Sequence, residues 1–229
     1  MASNTLTREF ATLTGTTCGT YGAPTVLTGS PTQSGLPAGC YRYRLTGTNN
    51  AGTSATLTTV VQQRVTITAV SLLDGPGIAG RIDQGDQIQI TFSDALAVNS
   101  ICSTWTGNAS DQTLAGDDNV NVRLNNSFFG NDTLTFTAAS CTLNVGTINL
   151  NTTAYSFFQS INYRGTGAGA TTVEWDVASR TLTFTLGTAS ANGQTVASSS
   201  PTLTPSGALV DPNNVGVGNT FALPAAQYF

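Results

Sequence analysis

The feature that most constrains this chain is its period-two alternation of apolar and polar residues, interrupted by turn residues every eight to twelve positions. Gln87-Ile-Gln-Ile-Thr-Phe92 and Thr181-Leu-Thr-Phe-Thr-Leu186 show it most clearly, and no stretch carries an apolar stripe at helical spacing. Side chains on an extended strand alternate between two faces, so this pattern specifies half-buried β-strands. Many short strands with frequent turns point to an all-β protein built of sandwiches. Cys40–Thr48 reads as a strong strand with Tyr41 and Tyr43 on one face and Arg42 and Arg44 on the other. Asn49-Asn-Ala-Gly52 is a turn, and Ala55–Gln63 is the return strand. A boundary follows near Arg64. Beyond it, strands are expected at Val65–Leu73 (Val65, Ile67, Ala69 and Ser71 facing one way), Gln87–Phe92, Asn119–Leu124, Asp132–Thr137, Cys141–Leu150, Thr171–Val177, Thr181–Leu186 and Thr220–Leu223. One short helical turn is expected over Asp94–Ser100. The organisation is therefore a short unit, 1–64, and a larger one, 65–229, with extra hairpins.

Composition narrows the chemistry. The 229 residues include no His and no Lys, with eight Arg against twelve acidic residues and a net charge of −4. Without His the commonest general acid/base is missing, and without Lys so is the usual Schiff-base nucleophile. No nucleophile elbow, phosphate-binding loop or dinucleotide fingerprint is present. The expectation is a protein that is not an enzyme. No basic stripe exists to neutralise phosphates, which argues against nucleic acid as a partner. No apolar run is long enough to cross a bilayer as a helix, so no membrane insertion is expected. Met1–Gly15 has no continuous apolar segment and does not read as a secretory signal.

The four cysteines have spacings unlike those of zinc or redox pairs. Three pairings are available. The local one, Cys18 with Cys40 and Cys102 with Cys141, keeps each bridge inside one unit and implies an oxidising setting. A Lys–Asn isopeptide crosslink is ruled out for want of Lys.

Other candidate sites are sparse. Glu174 and Asp176 share one face of a strand and cannot flank a scissile bond from opposite sides. Asp111, Asp117 and Asp118 are weak calcium candidates, since no calcium-loop motif accompanies them. No other cofactor is expected. Phe128-Phe129 and Phe157-Phe158 are adjacent aromatic pairs near turns. One member of each pair must face outward on a strand, so they, with Arg42 and Arg44, form the candidate contact surface for a protein or a glycan.

The run Thr17-Cys-Gly-Thr-Tyr-Gly22, followed by Ser34-Gly-Leu-Pro-Ala-Gly-Cys-Tyr-Arg-Tyr-Arg-Leu-Thr-Gly-Thr-Asn-Asn-Ala-Gly52, resembles a fibronectin-III/Ig-like module of large surface proteins from high-GC, actinobacterial-type bacteria. Gly80-Arg-Ile-Asp-Gln-Gly-Asp86 with the strand after it, Asn131–Phe136 and Val173–Gly187 resemble the Ig-like partner module. The resemblance implies two tandem Ig/fibronectin-III-like β-sandwich domains, the first short and incomplete. In the module it resembles, earlier strands precede the segment matching Leu6–Gly22. Here only five residues do, so the first sandwich is expected to lack its opening strands and to be open to strand addition by another chain or a neighbouring module. The functional expectation is a structural or adhesive module at the cell surface, a rigid spacer or contact surface. A virion role, as a phage fibre, tail or capsid decoration, is the alternative.

Overall fold

A computed structural model describes residues 2–29, 32–127 and 129–229. Strands take up 43% of the chain and helix 3%, so the protein is all-β. The N-terminal unit contains β1 (Ser3–Ala11), β2 (Leu13–Thr14), β3 (Thr17–Cys18), β4 (Thr25–Leu27), β5 (Gly39–Thr48) and β6 (Ser54–Gln63). Four of these form one antiparallel sheet in the order β4-β1-β5-β6, while β2 and β3 make a small hairpin beside it. The register sets Leu6 opposite both Leu27 and Leu45, and Leu45 opposite Leu57. Directly opposed residues share a face, so a row of four leucines crosses the sheet. Phe10, Tyr41 and Val61 form a parallel row on that face.

This sheet is a single layer. Segment 32–38 covers one end of the leucine face, where the Tyr41 hydroxyl donates to the Pro37 carbonyl at 2.8 Å and Arg8 Nη1 to Gln33 Oε1 at 2.5 Å. The β2–β3 hairpin covers the same end of the opposite face through the Cys18–Cys40 disulfide. Elsewhere both faces meet solvent, and β6 is exposed from Ser54 to Gln62. Among the described residues no second sheet lies across it, where a sandwich would have one.

The rest of the chain forms a two-layer sandwich. In order it contains β7 (Ile67–Leu73), β8 (Gln87–Phe92), the single-turn α1 (Val98–Ile101), β9 (Gln112–Leu114), β10 (Val120–Asn125), β11 (Thr133–Ala138), β12 (Gly146–Asn149) and β13 (Ile161–Arg164). It continues with β14 (Thr172–Asp176), β15 (Thr181–Thr185), β16 (Thr188–Ala189), β17 (Thr202–Pro205) and β18 (Phe221–Ala222). One layer is β7-β8-β15-β14-β9 and the other β16-β13-β10-β11-β12-β17-β18, with every pairing antiparallel. Inward residues of the alternating strands fill the space between them. Phe136 of β11 meets Phe184 of β15 with ring centroids 4.6 Å apart, and Trp175, Tyr155 and Tyr163 are fully buried. A buried phenol needs a hydrogen-bond partner. Tyr163 donates to the Ile82 carbonyl at 3.0 Å, and the Tyr155 hydroxyl lies 3.2 Å from Ser199 Oγ. The Cys102–Cys141 disulfide closes the second unit, so both local bridges form.

Several strand assignments change. The set Val65, Ile67, Ala69, Ser71 does not share a face. A register shift between Ile67 and Ala69 flips the phase, so that Val70 and Leu72 are buried and Ala69 is exposed. The strand expected over Cys141–Leu150 is confined to Gly146–Asn149, because the disulfide and an isolated bridge from Leu143 to Cys102 hold its first part against α1. Strands β9, β13, β16 and β17 carried too short an alternation to be read. The two units touch at a small shared core of Ala11, Leu13, Cys40 and Val215, and through the Ala38 N–H donating to Asp94 Oδ2 at 3.1 Å.

Candidate functional site

Among the described residues, the N-terminal sheet carries six of the eleven exposed large apolar residues. Leu57 is 72% exposed and Leu45 44%, and Phe10, Val26, Val60 and Val61 are also open to solvent. The alternation that built strands β5 and β6 supplied two faces, and a single layer can bury neither fully. Phe10, Leu45, Leu57 and Val61 share the leucine face, while Val26 and Val60 lie on the opposite one. Single exposed apolar residues are ordinary, but neighbours that share a face mark a contact surface. The polar face is more self-contained. Glu9 is buried, accepts a hydrogen bond from Arg42 Nε and lies 3.3 Å from Arg44 Nε. The Arg42 guanidinium also lies over the Tyr21 ring at 4.1 Å. The Arg42 hydrogen bond holds the Glu9 carboxyl below its ordinary pKa and raises that of Arg42. Arg42 and Arg44 are therefore held within the sheet, one of their two positive charges offset, by Glu9, a glutamate that the sequence did not single out. Its position in the phase of Thr5, Thr7 and Ala11 was the available signal.

A second exposed cluster sits at the loops after β10 and β12. Phe129 is fully exposed, and Phe157 and Phe158 are about two-thirds exposed with ring centroids 3.9 Å apart. Phe128 lies outside the described residues. The two loops share a polar base in which Asn126 Nδ2 donates to Ser156 Oγ at 2.9 Å and the Ser156 N–H to Asp132 Oδ2 at 3.0 Å. Asp132 is completely buried, and among the described residues its Oδ1 has no hydrogen-bond partner.

The acidic candidates do not converge. Asp111 accepts the Val177 N–H at 2.9 Å, Asp117 accepts the Gly167 N–H at 2.7 Å, and Asp118 pairs with Arg164 at 3.4 Å. Each ties its loop to a segment distant in the chain, Asp111 to Val177 and Asp117 and Asp118 to the 164–167 stretch. Among the described residues no three acidic or cysteine side chains gather as a metal site. Asp176 accepts the Ser179 N–H at 2.7 Å, which lowers its pKa, while Glu174 points to solvent beside Thr183 and Thr113. A cleft of about 490 Å³ lies at the junction between Leu36, Pro37 and Gln63 on one side and Ser93, Asp94 and Arg180 on the other. Both Asp94 oxygens are engaged by backbone N–H groups, of Ala38 and Ala95, and Arg180 donates to the Ser93 carbonyl. Asp86 is the most perturbed carboxyl. Burial pushes its pKa to about 6, against hydrogen bonds from the Gly75 and Asp83 N–H groups. It holds the 74–86 turn.

Neither a family model, a curated protein nor a solved structure matches the chain. Among the described residues no helix is long and apolar enough to cross a membrane, and two disulfides are compatible with an oxidising, extracellular setting.

Proposed function

We propose that this chain is a non-enzymatic structural or adhesive module of an extracellular bacterial surface protein. The two-layer sandwich is its rigid body and the N-terminal sheet its contact surface for neighbouring protein. One observation carries the reading: a four-stranded sheet, disulfide-anchored at one end, leaves Leu45 and Leu57 of its leucine row and the edge strand from Ser54 to Gln62 open to solvent. Such an edge is a liability in a free monomer and an asset in an assembly. The acidic candidates are held apart from one another by backbone hydrogen bonds and ion pairs, which favours contact rather than turnover as the use of the surface. Glycan contact through Phe129, Phe157 and Phe158 belongs to the same reading as a secondary surface.

Hydroxyl-radical footprinting tests it, comparing the purified chain with intact cells or particles that carry it. Residues 3–11 and 39–63 are expected to be protected in the native setting and labelled in isolation. Equal labelling of this sheet in both preparations removes the reading.

A further inference from the structure

The outward side of β6 identifies a partner more closely. The hairpin before it is closed by the Asn49 N–H donating to the Thr53 carbonyl at 2.9 Å and the Gly52 N–H donating to the Asn49 carbonyl at 3.0 Å, with Gly52 at φ +80°. This is a three-residue loop with a glycine bulge, and it makes Asn49 and Thr53 a hydrogen-bonded pair. Such pairs alternate along an antiparallel ladder. The N–H and C=O groups of Ala55, Leu57, Thr59 and Val61 therefore point to β5. Those of Ser54, Thr56, Thr58 and Val60 point outward, where among the described residues no strand pairs with them.

Devices that protect edge strands are missing here. From Ser54 to Gln63 there is no charge, no proline and no glycine. A neutral edge lets an identical edge approach without repulsion. The same-face charge of Arg8 lies two strands further in, beyond a Debye length of about 8–10 Å from its counterpart across a symmetric pairing.

We propose that two copies of this chain pair antiparallel through β6 about a two-fold axis normal to the sheet, with Leu57 opposite Leu57 of the second copy. This register joins Thr56 to Thr58 and Ser54 to Val60 through about eight main-chain hydrogen bonds, using the outward-pointing groups. It also aligns the leucine rows. Leu27, Leu6, Leu45 and Leu57 run straight into Leu57, Leu45, Leu6 and Leu27 of the partner copy, across one eight-stranded sheet. Leu57 is the most exposed aliphatic residue on the sheet and sits at the axis, a non-hydrogen-bonded pair where side chains come closest.

The size of the contact sets its strength. Seven paired residues span about 23 Å, and a strip about 10 Å deep buries a few hundred Å² per copy, below the roughly 1,200 Å² total of a stable interface. The pairing is a weak, concentration-dependent equilibrium. It becomes effective where neighbouring modules are held together at effective concentrations on the order of millimolar. The proposal rests on the surface-module reading.

Sedimentation equilibrium of the oxidised chain up to about 500 µM is the test. The expected result is a mass rising towards twice that of the chain, with a dissociation constant on the order of 100 µM. Leu57→Lys and Leu57→Glu, at an exposed position, are each expected to weaken association at least about tenfold by placing like charges on the axis. An equimolar mixture of the two variants is expected to associate at least as tightly as the parent chain. A parent that stays monomeric throughout, a Leu57→Lys chain that associates unchanged, or a mixture that does not recover overturns the pairing. Monomer in solution combined with a protected sheet on cells would assign the surface to a different protein, sinking the self-pairing and leaving the module reading intact.

Discussion

Glu9 and Asp86 are both buried carboxyls, and they respond to pH in opposite directions. Arg42 lowers the Glu9 pKa, so the stability Glu9 contributes is present above its ordinary value of 4.5 and is lost as pH falls through the depressed value. Burial raises the Asp86 pKa from 3.8 to about 6, so its contribution is full below 3.8 and is lost as pH rises through 6. The melting temperature of the oxidised chain is therefore expected to fall from about pH 4.5 to about pH 6 and to level off above that, and the fall should be smaller in Asp86→Asn. Thermal unfolding followed by circular dichroism checks it, and an unchanged slope in the variant removes Asp86 as the cause. Neither carboxyl was legible as special in the sequence. Asp86 looked like a turn residue, which it is, but its burial depends on the 74–86 loop folding back so that the Gly75 and Asp83 N–H groups both reach it. Arg42 and Arg44 were legible as one face of a strand. Their partner Glu9 lies 33 residues from Arg42, and only the β1–β5 register brings it between them.

Among the elements, the disulfides have unequal jobs. Cys18–Cys40 closes a 22-residue separation and anchors a sheet whose own core is little more than Ala11, Leu13, Cys40 and Val215. Cys102–Cys141 closes a 39-residue separation in a sandwich with a large, continuous core. Chain-entropy arguments assign each bridge about 3–4 kcal/mol. The same loss has different consequences, since the small sheet has little else to hold it. Cys18→Ser/Cys40→Ser is expected to abolish most amide-exchange protection in residues 3–63. Cys102→Ser/Cys141→Ser should lower the sandwich's unfolding midpoint while leaving it folded. Hydrogen exchange with mass spectrometry separates the two outcomes. The long strands were readable because each carried several turns of alternation, as in β8 and β15. The bulge in β7 was not, because a single extra residue reverses facing without altering the apolar count.

On the scale of the whole molecule, the N-terminal sheet depends on the sandwich through few contacts. Val215→Asp would place a charge in the shared core, and Asp94→Ala would remove the acceptor of the Ala38 N–H. Either change is expected to loosen residues 3–63 and expose the 63–66 link to protease, with protection in β8, β10 and β15 unchanged. Limited proteolysis read by mass spectrometry measures this. Uniform loosening of both units would show instead that they fold as one. The sequence by itself pointed to the all-β class and favoured the local disulfide pairs, because alternation, turn residues and cysteine spacing are properties of short stretches of chain. Only the tertiary structure decided that the first unit is one layer with an open edge, that the acidic candidates bind distant backbone and arginine rather than a shared site, and that four leucines from four strands fall into one row. Those outcomes depend on register and layer stacking, which are set by contacts between residues far apart in the chain.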